Sequence, residues 1–193
     1  MLKRPFRMVR DKSGLAAVEF ALILPVMLIL FFGVFETSMA LAARADVVNL
    51  TSAAADLVAQ AAAPSGADIQ NVYAASSSMM APYSITGDRK PAIRITSIID
   101  DGNGQAPRST GIVKWFCTQQ GGVSLPGNAP TGSITLPSAM ILRGYSVIRV
   151  EVAYKYVSPT TQSIAGPIVM TSTFYTKPRR VMQIPPPTGN CNA

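Results

Sequence analysis

The chain has 193 residues, of which 48% are hydrophobic and 14% are charged, and its formal net charge is +7. This length allows one membrane segment and one domain of ordinary size, and the apolar fraction is too high for a disordered chain. The absence of histidine excludes Ser-His-Asp and Cys-His catalysis and most zinc sites. The basic excess is concentrated in residues 1–14, and no basic stripe interleaved with aromatics follows, which argues against nucleic-acid binding.

Residues 15–35 form an apolar run, LAAVEFALILPVMLILFFGVF, with a single charged side chain, Glu19. As a helix this run spans roughly 31 Å, about the thickness of one hydrocarbon core. Five basic residues precede it, so we expect residues 1–14 to stay in the cytoplasm and the C-terminal part to be exported. Pro25 removes one backbone hydrogen bond inside the run, and both a harmless kink and a role in assembly fit it.

Glu19 is the most informative residue of the run, because a carboxylate inside a membrane segment is costly unless it has a partner or reaches the interface. Gly14 ends the basic leader, and Glu19 and Phe20 are the fifth and sixth residues after it. This spacing resembles the processing site of type IV prepilins, in the Glu-aromatic form of Flp-type pilins and pseudopilins. The string from Gly14 to Glu36 resembles the opening of the TadE-like family.

The resemblance implies a pseudopilin of tight-adherence, Flp-type pili. A prepilin peptidase would cut between Gly14 and Leu15, and Glu19 would pair with the freed amino group of a neighbouring subunit. The implied partners are that peptidase, the major pilin, other pseudopilins and the inner-membrane assembly platform. The protein would lie in the bacterial inner membrane with its C-terminal domain in the periplasm, either within the filament or at its base.

Three other readings remain open. Ala40-Leu41-Ala42 offers an A-x-A site for signal peptidase, although a 42-residue leader is long for a secretory signal. An uncleaved, membrane-tethered periplasmic binding or scaffold protein would also need this anchor. An enzyme is the weakest reading, because the exported part has few carboxylates and no Ser-x-x-Lys motif. We expect no cofactor, metal or small-molecule substrate.

Residues 37–63 continue the helix, since apolar side chains recur at intervals of three and four to give one apolar face: Val47, Leu50, Ala54, Leu57 and Ala61. Pro64-Ser65-Gly66 should end it near Ala63. Residues 64–90 are a linker in which residues 69–80 are a candidate short helix.

Residues 91–180 are predicted to form an antiparallel β domain, with strands over 93–99, 112–118, 145–157 and 168–176 and a short one near Ile134. Alternation places Val113, Trp115 and Cys117 on one face, and it points Met170 and Phe174 inward. Residues 100–104 read as a hairpin turn, because a calcium loop needs regularly spaced acidic ligands and a distal Glu.

The C-terminal residues 181–193 are Pro-rich and are expected to be loosely ordered. Cys117 and Cys191 can pair in an oxidising compartment, and a buried thiol with a free tail thiol fits equally well. The predicted fold class is α+β. A long N-terminal transmembrane helix continues into an amphipathic helix packed on an antiparallel sheet, an arrangement that the resemblance implies is pilin-like.

Overall fold

A computed structural model describes residues 14–192 apart from residues 101, 103–106, 108, 138 and 159–165. The chain divides into two compact units, Met1–Met39 and Ala40–Ala193. Helix α1, Leu15–Gln60, begins in the first unit and ends in the second. The first unit, where it is described, consists of the apolar part of α1, and the second holds all the remaining elements.

In the second unit, α1 has one buried face because small and aliphatic side chains recur there at helical spacing: Ala43, Val47, Leu50, Thr51, Ala54, Ala55, Val58 and Ala59. Helix α2, Gly66–Ser78, starts at a capping box in which Ser65 and Asp68 each accept a hydrogen bond from the other's backbone N–H. A short 3₁₀ helix, Gly87–Arg89, precedes the sheet.

Five antiparallel strands form one sheet in the order β3-β2-β1-β4-β5. Their bounds are Ala92–Ile99 for β1, Thr110–Gln119 for β2, Ser133–Thr135 for β3, Ser146–Tyr156 for β4 and Ile168–Thr176 for β5. The central strands β1 and β4 are rich in β-branched residues and are buried on both faces. This burial shows that both sides of the sheet centre are covered.

One face of the sheet, here called the helix-covered face, carries an aliphatic core with Ile95 and Val150 opposite each other. The Gln119 amide donates to the Ser77 hydroxyl at 3.5 Å, which places α2 against this face. The Tyr83 ring packs edge-on against Tyr156 at 5.8 Å between ring centroids. The apolar alternation of β1, β2 and β4 thus builds a single core beneath the helices.

The opposite face, here called the loop-covered face, lies under the connections between strands. Ile98 and Val147 pack there with Leu136 and Ile141 in a second apolar cluster. Toward the other end of β1, Arg94 and Glu151 lie opposite each other in the register and are both buried. The chain around residues 124–129 reaches this pair, because Pro126 and Asn128 accept hydrogen bonds from Arg94.

The α+β class is confirmed, as are the long apolar helix and the antiparallel sheet. Helix α1 ends three residues earlier than expected, at Gln60, and α2 begins and ends earlier than residues 69–80. The predicted hairpin turn lies outside the described residues except for Asp100 and Gly102.

Three details of the prediction for residues 91–193 are wrong. The register of β1 with β2 shifts after the Ser97–Trp115 pair, so that Val113 pairs with Ile98 and faces the loop-covered side. This bulge breaks the period-two alternation on which the prediction rested. Phe174 lies opposite Val150 of β4 but is 40% exposed, so it is not covered as predicted, whereas Met170 on the same strand is buried.

The third detail concerns the tail, which is packed instead of loose. Ile184 is buried, and its carbonyl accepts a hydrogen bond from the Trp115 indole at 3.0 Å. Thr188 forms a parallel bridge with Ser65 at the start of α2. Proline removes backbone donors, but it does not prevent the neighbouring residues from binding the folded domain.

Candidate processing and assembly segment

Gly14 directly precedes α1, and Leu15 is the first residue of the helix. The Gly14 carbonyl accepts the Val18 N–H at 3.2 Å, so the backbone is already helical at this point. A Cβ placed on Gly14 would meet no described atom within 4 Å. Packing within the described chain therefore gives no reason for glycine here, and the backbone at Gly14 is uncrowded by the described residues.

Glu19 lies one helical turn beyond Leu15 and is exposed, as are Val18 and Phe20 on either side. Within the described part of the chain, no cationic group forms an ion pair with this carboxylate. Its surroundings are apolar, which is an unfavourable place for an unpaired charge. With respect to the described residues, the Glu19 carboxylate is therefore available to a further cation.

The helix around Glu19 exposes a continuous apolar surface. Exposure reaches 73% at Leu22, 72% at Ile29 and 64% at Phe31. Among the described residues, α1 is the one helix long and apolar enough to cross a membrane, with a mean hydropathy of 2.6 over its most apolar window and no burial there. A core helix of a soluble protein would be mostly buried, so this exposure indicates membrane anchoring.

Pro25 lies inside α1, which continues through it without interruption. Near the far end of the apolar run, the Thr37 hydroxyl donates to the Gly33 carbonyl at 2.8 Å and the Ser38 hydroxyl to Val34 at 2.9 Å. These bonds satisfy the hydroxyl donors within the helix itself, as a segment in an apolar medium requires. Pro25 lies six residues beyond Glu19, which is about 1.7 helical turns.

A disulfide joins Cys117 to Cys191, with 5.6 Å between their Cα atoms. Cys117 lies on the helix-covered face of β2 and is fully buried, while Cys191 belongs to the packed tail. The Thr118 N–H donates to the Asn192 side chain at 2.9 Å beside this bond. The disulfide therefore fixes the end of the tail to the outer part of the sheet.

The candidate residues thus fall in two places. The N-terminal end of α1 holds Leu15, Glu19 and Phe20, directly after Gly14, whereas the cysteine pair lies in the second unit.

No group of three metal-ligating side chains is present among the described residues. Burial raises the pKa of the Tyr73 hydroxyl, which lies in the second unit and has no hydrogen-bond partner among the described residues.

Sequence reasoning missed the charged cluster on the loop-covered face. Arg94 Nε lies 2.8 Å from Glu151 Oε2, and an Arg149 terminal nitrogen lies 2.9 Å from the same oxygen. Their side chains are only 5%, 9% and 13% exposed. The one available signal was charge alternating with apolar residues on a central strand, which is read more simply as a solvent-facing pattern.

Comparison with known proteins gives one family match. Residues 14–56 match the family described as TadE-like protein, and this match supports assigning the chain to that family. The matched region covers the exposed apolar run and most of α1, but no part of the sheet. No curated protein and no solved structure matches the chain.

Proposed function

We propose that this chain, assigned to the TadE-like family through residues 14–56, is a pseudopilin of Flp-type pili that is cut after Gly14. The family assignment itself indicates a structural, pilus-associated component. The observation that carries this proposal is the exposed apolar helix that begins at Leu15 and bears, one turn later, a carboxylate with no ion-pair partner among the described residues. Packing among the described residues does not explain why residue 14 is glycine, and no described ion pair explains the carboxylate at Glu19.

Cleavage between Gly14 and Leu15 would remove the basic leader and create a cationic amino group at Leu15. That group would lie about one turn from Glu19 on the same helix. A charge in apolar surroundings is tolerated when it is paired, so the amine of one subunit and Glu19 of the next would stabilise each other. The pair would also fix the axial register between neighbouring helices, because any other register leaves both charges unpaired.

The same proposal supplies partners and a location. The uncut chain would meet a prepilin peptidase at the cytoplasmic face of the bacterial inner membrane, since the five basic residues of the leader favour that side. The mature chain would meet the major pilin, other pseudopilins and the inner-membrane assembly platform. The second unit would lie in the periplasm, an oxidising compartment that suits its disulfide.

Mass spectrometry of the membrane-extracted protein, with and without the cognate prepilin peptidase, tests the proposal. We expect the mature chain to begin at Leu15 only when the peptidase is present. A start at Ala43 under both conditions would identify a secreted protein cut after Ala42, and would end the pseudopilin proposal. Gly14→Leu serves as the matched variant, because a bulky side chain at an uncrowded position blocks access to the backbone without disturbing the helix.

An uncleaved, membrane-tethered scaffold protein of the envelope is the second candidate. The second unit favours it, because the central strands β1 and β4 are buried on both faces without a neighbouring subunit. Such a domain is able to bind an envelope partner without entering a filament. An intact Met1 start in the presence of an active peptidase would select this candidate.

A further inference from the structure

A cleft of about 560 Å³ opens on the loop-covered face of the sheet. Its lining includes Arg94 on β1 and Phe116 and Thr118 on β2. Leu125, which follows β2 in the chain, and Asn192 of the tail also line it. The volume lies within the range of small ligand pockets, and the lining mixes apolar side chains with a few polar groups.

Arg94 brings a positive charge into the lining of the cleft. Arg94 is 4% exposed and gives its Nε–H to Glu151, while Nη1 and Nη2 donate to the carbonyls of Asn128 and Pro126. Each terminal nitrogen has a second N–H beyond these bonds. Glu151 is shared with Arg149, so two guanidinium groups have one carboxylate between them. A buried cluster with one excess positive charge favours a negatively charged ligand.

No acidic side chain opposes that charge among the described residues that line the cleft. Arg149 adds a further sign of incomplete pairing, since its buried Nε has no hydrogen-bond partner in the described part of the chain. The cleft therefore offers hydrogen-bond donors and positive potential, and none of the described residues that line it has an acidic side chain.

The cleft also borders a short open stretch of the β2 edge, between Val113 and Thr118. Strand β3 pairs with β2 from Thr110 to Ile112, the Gly132 carbonyl accepts the Val113 N–H at 3.0 Å, and the Asn192 side chain accepts the Thr118 N–H. Backbone groups of every second residue point to the same edge, so the N–H and C=O of Phe116 also face outward. No described backbone group bonds to them there. An extended segment is able to pair with β2 at this point.

From these features we infer that the cleft docks an extended peptide segment of another protein, which pairs with β2 at Phe116 and places one carboxylate over Arg94. Pairing with the backbone would supply affinity, and the carboxylate would supply selectivity. The inference does not rest on the proposed pilus function, because every residue it uses lies in the second unit and outside α1.

Calorimetric titration of the full chain in detergent tests the inference with three N-acetylated, C-amidated heptapeptides, Thr-Val-Thr-X-Thr-Val-Thr, where X is Asp, Glu or Asn. We expect an acidic peptide to bind about tenfold more tightly than the Asn peptide, as one charge-assisted hydrogen bond predicts. The same peptide with Asn at X and a free C-terminal carboxylate distinguishes a terminal from a side-chain carboxylate. Preferred binding of either carboxylate supports the docking site.

Two Ala→Asp variants, one in the cleft and one away from it, serve as test and control. Ala129 lines the cleft and is exposed, so Ala129→Asp adds a negative charge to the wall and should weaken acidic peptide binding about tenfold. Ala75 is exposed on α2 and does not line the cleft, so Ala75→Asp should leave binding unchanged. Equal affinity for acidic and Asn peptides, binding of inorganic sulfate alone, or no binding at all would overturn the inference.

Discussion

Arg94 and Glu151 form a buried ion pair on the loop-covered face, with 2.8 Å between Nε and Oε2. They belong to neighbouring strands and are separated by 57 residues in the chain. Arg149 binds the same carboxylate oxygen at 2.9 Å, so among the described residues Glu151 is the one counter-charge of two guanidinium groups. Because both guanidinium groups bind it, the loss of the Glu151 charge would leave two buried positive charges without their counter-charge.

Replacing Glu151 with Gln should therefore destabilise the second unit strongly. Removing one partner of a buried pair leaves an uncompensated charge, which costs about 3–5 kcal/mol in the free energy of unfolding. Urea unfolding of the full chain in detergent, followed by circular dichroism, measures the change. The control is Asp88→Asn, which breaks the exposed pair with Lys155 and should cost less than about 1 kcal/mol. Equal losses in the two variants would contradict this ranking.

The disulfide between Cys117 and Cys191 closes a long loop, with 74 residues separating its ends. In the chain-entropy account, a loop of this size adds about 4 kcal/mol of stability by restricting the unfolded chain. The Cys117→Ser, Cys191→Ser double variant should unfold at lower urea concentration, and its tail should be cut sooner by a protease. A reducing agent should reproduce the effect in the parent protein and leave the double variant unchanged.

The capping box of α2 should make the stability of the second unit depend on pH. Hydrogen bonds from the backbone and hydroxyl of Ser65 hold the pKa of Asp68 below its usual 3.8. A folded-state pKa below the unfolded value adds stability above about pH 4, and this stability is lost as pH falls through the folded pKa. The urea midpoint of the parent protein should therefore fall more steeply on acidification than that of Asp68→Asn. Parallel curves for the two proteins would show that the cap does not contribute.

Packing of α1 in the second unit predicts a large loss of stability for one Ala→Leu substitution and almost none for another. Ala54 is fully buried on the face toward the core, so Ala54→Leu should overpack it at a cost of about 1–3 kcal/mol. Ala45 is exposed on the same helix, and Ala45→Leu should change the free energy of unfolding by less than about 0.5 kcal/mol. A comparable loss at both positions would mean that the helix does not pack as described.

The Glu19 carboxylate gives a prediction that separates processing from assembly. Glu19→Gln keeps the size of the side chain but removes its charge, so pairing with a neighbouring amine is weakened. We expect the chain still to begin at Leu15, while its recovery with sheared pili or with cross-linked pilus subunits falls. Glu36→Gln makes the same chemical change at the other end of the apolar run and should leave recovery unchanged. Normal recovery of Glu19→Gln would remove the pairing mechanism.

Most of the fold prediction rested on local sequence patterns. Helix spacing identified α1, and period-two alternation identified β1, β4 and β5 with bounds close to those in the structure. The alternation misplaced Val113, because a bulge depends on how β2 meets its partner and not on the sequence of β2 alone. For Phe174 the alternation gave the right face, opposite Val150, but not its exposure, since period two does not tell whether anything covers a face.

The sequence by itself determined the apolar anchor, the Gly14 to Phe20 pattern and the α+β class, because these depend on residues within a few turns or strands of each other. Only the tertiary structure decided that Arg94 and Arg149 share Glu151, that the cysteines are joined and that the tail is packed. These contacts bring together residues far apart in the chain. They exist because strand order and loop paths place them side by side, which local periodicity does not encode.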